Sequence, residues 1–118
     1  MKSFNLKKKS QIENMGSGKD AAYQECERLM TIDPKEYNPV SVIGAIGGMG
    51  NVKKLVGRVL ADSNGLFYVL GIDPQKDFAI VTMTIGVQGW ERFGASHRDH
   101  RIMEIPMIYL KQYNVLDV

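Results

Sequence analysis

Residues 90–101 read WERFGASHRDHR and gather more chemical capacity than any other stretch of the chain. Arg92, Arg98 and Arg101 supply planar guanidinium forks that match carboxylate or phosphate oxygens. His97 and His100 are the two imidazoles of the sequence, each able to donate, accept or ligate. Trp90 and Phe93 add aromatic faces on which an unpaired base or a guanidinium stacks. Trp and Arg are also enriched at the energetic centres of protein interfaces. Trp90, Arg92, Phe93, His97, Arg98, His100 and Arg101 therefore form the candidate binding set. The competing reading folds Trp90 and Phe93 back onto the body of the protein and leaves the charges solvated.

Catalysis and metal binding ask for more than this stretch supplies. A metal held by His97 and His100 needs at least a third ligand, which Asp99 can provide. Arg98 and Arg101 would stand beside a dication and repel it. No Ser or Cys nucleophile is tied to either histidine by local spacing. The expectation is no catalytic set, no metal and no cofactor, and a protein that is more a binder than an enzyme.

A second cluster is a candidate anion site. Gly47, Gly48 and Gly50 are followed by Lys53, Lys54 and Arg58, and glycine amides beside cations can form a nest for one phosphate. Two phosphate-loop patterns fail on inspection. Gly16-Ser17-Gly18-Lys19 has Glu13 where a Walker loop needs its first glycine, and Asp20 where it needs a hydroxyl. Ile46-Gly47-Gly48-Met49-Gly50 places Lys53 where the third glycine of a dinucleotide turn would fall.

The elements that must position these residues are bounded by length and composition. A chain of 118 residues, 44% hydrophobic, supports one domain with one core. A formal charge of +2 neither requires nor excludes a polyanionic partner. Cys26 is the single cysteine and can form no internal disulfide, which suits a reducing compartment. The longest weakly polar run, Val40 to Gly50, falls well short of the ~20 residues a membrane span needs. No membrane association and a cytoplasmic location are expected.

Residues 1–16 read as a flexible basic arm carrying Lys2, Lys7, Lys8 and Lys9, ended by Gly16-Ser17-Gly18. Residues 17–32 read as a short helix with a capping box at Ser17 and Asp20. Ala22, Cys26 and Leu29 form its apolar stripe, and Asp33-Pro34 stops it. Residues 40–118 form a β-rich core. Within it, Val40–Gly50 reads as a strand running into a glycine loop, or as a strand with a bulge.

Leu55–Ala61, Leu66–Ile72 and Phe78–Ile85 read as three antiparallel strands. An Asn64-Gly65 hairpin joins the first two, and a five-residue turn at 73–77 joins the next. Arg101–Ile105 is a fourth strand, Met107–Leu110 one helical turn, and Tyr113–Leu116 a closing strand. The fold class is α+β, mainly β, with an SH3-like antiparallel barrel or meander over about 53–118. The alternative is a mixed α/β fold with a helix at 51–62.

Three functions compete. The first is a non-catalytic module that binds a protein partner, or a second copy of itself, through the loop 86–101. The second is a nucleic-acid-binding barrel that uses Lys/Arg backbone contacts with Trp90 stacking. The third is a small-ligand binder or enzyme in a pocket joining Gly44–Gly50 to His97–His100.

Overall fold

The computed structural model describes residues 15–73, 75, 79–93 and 100–116. The basic arm before residue 15, most of the 74–78 turn, and Gly94 to Asp99 lie outside the described residues. Six strands form one sheet: β1 (Val40–Ser41), β2 (Val59–Asp62), β3 (Gly65–Asp73), β4 (Ala79–Ile85), β5 (Ile102–Ile105) and β6 (Asn114–Val115). Their order is β1-β6-β2-β3-β4-β5 with every neighbour antiparallel. The sheet is open, with β1 and β5 at its edges.

Open rather than closed is the physical consequence of where the apolar residues fall. A barrel interior receives only every second residue of a strand. In β3 the run Leu66 to Leu70 is buried without a break. Leu66, Tyr68 and Leu70 join one core, while Phe67 and Val69 join another on the opposite face. β2 divides the same way, Val59 and Ala61 against Leu60. A sheet apolar on both faces needs a cover on each, so helical layers replace closure. Each fully buried leucine contributes roughly 1.5–3 kcal/mol of transfer free energy.

Helix α1 (Met15–Leu29) covers the first face. Its expected stripe is in place: Ala22 and Leu29 are buried and Cys26 packs partly against them. Its start is not as expected. The helix runs through Gly16-Ser17-Gly18, so these residues neither break the chain nor form a capping box. Gly18 lies where α1 approaches the sheet so closely that a Cβ would stand 2.6 Å from Leu70 Cδ2. Tertiary approach here outweighs the helix-breaking tendency of glycine.

Burial pushes the Cys26 thiol pKa up, and the neighbouring Glu25 carboxylate pushes it further. Less thiolate at neutral pH means a less reactive sulfur. Iodoacetamide should therefore alkylate Cys26 in the folded protein with a pH–rate inflection above that of free cysteine. An inflection at or below the free-thiol value would refute this.

The second face is covered by helix α2 (Val42–Ile46) and by two 3₁₀ segments, Met49–Leu55 and Met107–Gln112. Val42, Ile46, Val52, Leu55 and Leu110 are the buried residues they contribute. Instead of one strand into a glycine loop, residues 40–50 thus form a two-residue strand and a helix. Ser41 Oγ caps α2 by accepting from the Gly44 amide at 3.1 Å. Gly47, in the left-handed region at φ +80°, ends it.

Neither reading of residues 51–62 holds whole. The 3₁₀ segment ends at Leu55, Gly57 turns the chain at φ +85°, and β2 starts at Val59. Lys53 and Lys54 therefore lie on the helical layer and Arg58 just before the strand. The hairpin at 62–65 is present with Asp62 opposite Gly65. Its mechanism differs from the expected one, because neither Asn64 nor Gly65 takes a positive φ. Asp62 Oδ1 instead accepts from the Asn64 and Gly65 amides at 2.7 and 3.1 Å, a side-chain turn.

Candidate functional site

The segment 86–93 is built around Trp90. A turn closes from the Trp90 amide to the Val87 carbonyl at 3.0 Å, with Gly89 at φ +98°. The Gly89 amide donates to Glu91 Oε2 at 3.0 Å. That bond, with the Glu91 amide, holds this carboxyl below its ordinary pKa. The turn drives the indole inward. Trp90 is fully buried, its ring 6.0 Å from that of Tyr37, and its Nε1 donates to the Leu29 carbonyl at 3.1 Å. The Leu29 carbonyl, at the end of α1, accepts this bond alongside one from the Ile32 amide at 3.1 Å. Trp90 is thus a core residue and a helix cap, and its face is not offered at the surface for stacking.

The same contacts assemble a cleft. Asp33 and Pro34 start a 3₁₀ turn after α1, with Asp33 Oδ1 accepting from the Lys35 amide at 3.0 Å. The chain then passes Tyr37, whose hydroxyl donates to the Val115 carbonyl of β6 at 2.8 Å. Arg92 Nη2 donates to the Pro34 carbonyl at 2.6 Å. These bonds tie the 34–39 connector to β6 and to the Trp90 segment. Between them and the β2–β3 hairpin lies a cleft of about 490 Å³. Tyr37 and Pro39, Ala61 to Asn64, Arg92, Gln112 and Asn114 line it.

Its chemistry is that of hydrogen bonding in both senses. The amides of Asn64, Gln112 and Asn114 each donate and accept, and Arg92 donates only. The Asp62 carboxylate is held by the two turn amides. Pockets for drug-sized molecules are mostly apolar with a few polar groups; here polar residues dominate. Groups of this kind match the alternating donors and acceptors of a peptide backbone.

The remaining expected site residues that the structure describes are dispersed. Phe93 closes the 91–93 turn. His97 and Arg98 lie outside the described residues. His100 takes φ +53°, the single positive φ among the described non-glycine residues. Its ring meets Tyr23 of α1 edge-on at 5.0 Å, and its Nδ1 is buried with no hydrogen-bond partner among the described residues. Arg101 is exposed and bound through its backbone to Thr84 of β4, with Arg101 N to Thr84 Oγ1 at 2.9 Å. Arg92 stands beside β2 and β6, so β3 and β4 separate the two arginines.

The expected pocket between Gly44–Gly50 and the histidine loop is not assembled among the described residues. The glycine segment belongs to the second-face layer, and His100 contacts α1 on the first. The anion nest is also incomplete, because the Gly47 amide already donates to the Ile43 carbonyl at 2.8 Å. The C-terminal end of a helix, where Gly47 stands, carries partial negative charge. Lys53 and Lys54 are exposed beside it.

Sequence reasoning passed over the cleft residues Tyr37, Asn64, Gln112 and Asn114. They come from three separate stretches, and the pairing of β6 with β2 and the Tyr37 hydroxyl bond to Val115 bring them together. No protein-family model, curated protein or solved structure matches the chain.

Proposed function

We propose that the chain is a non-catalytic interaction module that binds an extended segment of a protein partner, with Arg92 and the cleft beside it as the principal contact. The observation that carries this reading is the cleft of about 490 Å³ lined by Asn64, Arg92, Gln112 and Asn114. Amide side chains fixed at a strand and a hairpin read backbone, and arginine adds a carboxylate or carbonyl partner. Kinship with SH3-like modules is part of the proposal. It is supported by the order in which the last strand returns beside β2 after a 3₁₀ turn, although the sheet stays open. A cytoplasmic location also belongs to the proposal, supported by the single cysteine.

The test compares the wild-type chain with Arg92→Glu/Gln112→Ala as baits in native lysate. Both positions are exposed, but Arg92→Glu also removes the bond to the Pro34 carbonyl, a loss of about 1.5–3 kcal/mol for a charged donor. Urea denaturation of the variant must therefore show it folded under the conditions of the assay. Recovery of the partner should fall by at least about tenfold, as for an interface hot spot. Equal recovery by both baits, or none by the wild type, would end this reading. Salt-sensitive binding of oligonucleotides that survives Arg92→Glu but not Lys53→Ala/Lys54→Ala would move the function to nucleic acid.

A further inference from the structure

The two helical layers differ in charge. From Val40 to Ala61 and from Ile105 to Leu116 the sequence contains no carboxylate, while it carries Lys53, Lys54, Arg58 and Lys111. These stretches hold the whole second-face layer. On its outer side Ile43, Ile108 and Tyr109 are exposed, Ile108 by 72%. The first-face layer is the reverse. From Gly18 to Tyr37 there are five carboxylates, Asp20, Glu25, Glu27, Asp33 and Glu36, against three cations. Glu25 is occupied by Arg28 at 2.6 Å. Asp20, Tyr23, Glu27 and Met30 fall at i, i+3, i+7 and i+10, one stripe of a helix. All four are exposed, Met30 by 54%. The Met30 amide still bonds the Cys26 carbonyl, so the stripe continues past Leu29.

One surface therefore mixes lysines with aliphatic groups, and the other mixes carboxylates with Tyr23 and Met30. We propose that the basic layer of one copy docks on the acidic α1 stripe of the next, so that the chain associates head to tail. The proposal does not use the cleft beside Arg92 and stands or falls separately from it.

The occupant is a second copy because this chain itself presents the complementary surface. Opposite potentials set register and exclude the like-charged pairing of layer with layer. Nucleic acid fits the basic layer less well, since Ile43 and Ile108 offer no stacking face and Tyr109 is the one exposed aromatic of that layer. The two surfaces lie on opposite faces of one sheet. Their contact is heterologous, and it extends into a stack unless the rotation happens to close a ring.

The experiment is sedimentation of the full chain and of two surface variants, Lys53→Glu/Lys54→Glu and Asp20→Lys/Glu27→Lys. Far-UV circular dichroism confirms that each variant is folded. The wild-type average mass should rise with protein concentration beyond a dimer and fall with added salt. Each variant alone should weaken association by about two orders of magnitude. Mixed in equal amounts, the two should associate again, because one variant keeps the acidic stripe and the other keeps the basic layer. Should one variant fail to fold, Lys54→Glu with Glu27→Lys repeats the mixing test. A wild type that stays monomeric up to its solubility limit overturns the proposal. So does a mixture that stays monomeric, or an assembly that stops at a dimer and ignores both variants.

Discussion

Trp90→Ala should lower the unfolding free energy by about 3–5 kcal/mol, the range for truncating a fully buried large aromatic. The loss has two parts that separate experimentally. Removing the ring empties the space beside Tyr37 and uncovers part of the first core. Removing the indole N–H leaves the Leu29 carbonyl with the Ile32 amide alone, a lost hydrogen bond that should cost about 0.5–1.5 kcal/mol by itself. Trp90→Phe keeps most of the ring and loses only the donor, so it should fall between wild type and Trp90→Ala. Urea denaturation followed by circular dichroism measures both. The chain has one tryptophan, so wild-type fluorescence should be blue-shifted and poorly quenched by iodide until the protein unfolds. A change below about 0.5 kcal/mol for Trp90→Ala, the level of an exposed substitution, would show that the indole is not core. The outcome also bears on function. A destabilised Trp90→Ala would lose its partner through unfolding, and only Arg92 and Gln112 variants can test recognition directly.

The strands after residue 59 were legible because each is bounded by strong local chemistry. Asp62 to Gly65 supplies turn residues, Asp73-Pro74 another turn, and Pro106 a ladder stop. The 107–112 turn and the closing strand follow from the short distance left after Pro106. What misled was the expectation of a closed barrel, which buries only one side of each strand. The buried run Leu66 to Leu70 does not alternate in polarity, the mark of a sheet covered on both faces. That lack of alternation is visible in the residue types alone, and it argues against a barrel. The two missed devices in 40–50 were also visible: Ser41 three residues before the amide it caps, and Gly47 just past Ile46. Apolar Val42 and Ile46, four apart, complete the signal.

The candidate site was less legible for a different reason. Composition drew attention to 90–101 because tryptophan and arginine are rare and conspicuous there. Tryptophan is as useful for filling a core and capping a helix as for binding, and nothing local separates those uses. The distinction depends on a carbonyl 61 residues earlier in the chain, at Leu29. Arg92 retained a place in the cleft because its exposed guanidinium reaches the connector that Trp90 and Tyr37 fix. The other walls come from amides in a hairpin and a β6 neighbour, residue types common on any surface. Their meaning lies wholly in the pairing of β6 with β2.

Gly18→Leu should destabilise the protein, against the helix propensity scale. Replacing glycine with leucine inside an exposed helix would gain roughly 0.5–1 kcal/mol. Here the new Cβ would stand 2.6 Å from Leu70 Cδ2, and Leu70 is itself buried at 1% exposure. The leucine cannot swing into open space, so α1 must lift or the core must rearrange. Overpacking of this kind costs about 1–3 kcal/mol, which outweighs the propensity gain at the larger end. Leu70→Ala alone should cost about 2–5 kcal/mol by leaving a cavity under the helix. The two changes are complementary in volume, because the side chain added at 18 enters the space vacated at 70. Their combination should therefore cost less than the sum of the two, by about 1–3 kcal/mol of coupling. Urea denaturation of the four proteins of the cycle measures that coupling. Additivity within about 0.3 kcal/mol, the behaviour of distant sites, would mean that α1 does not pack on Leu70.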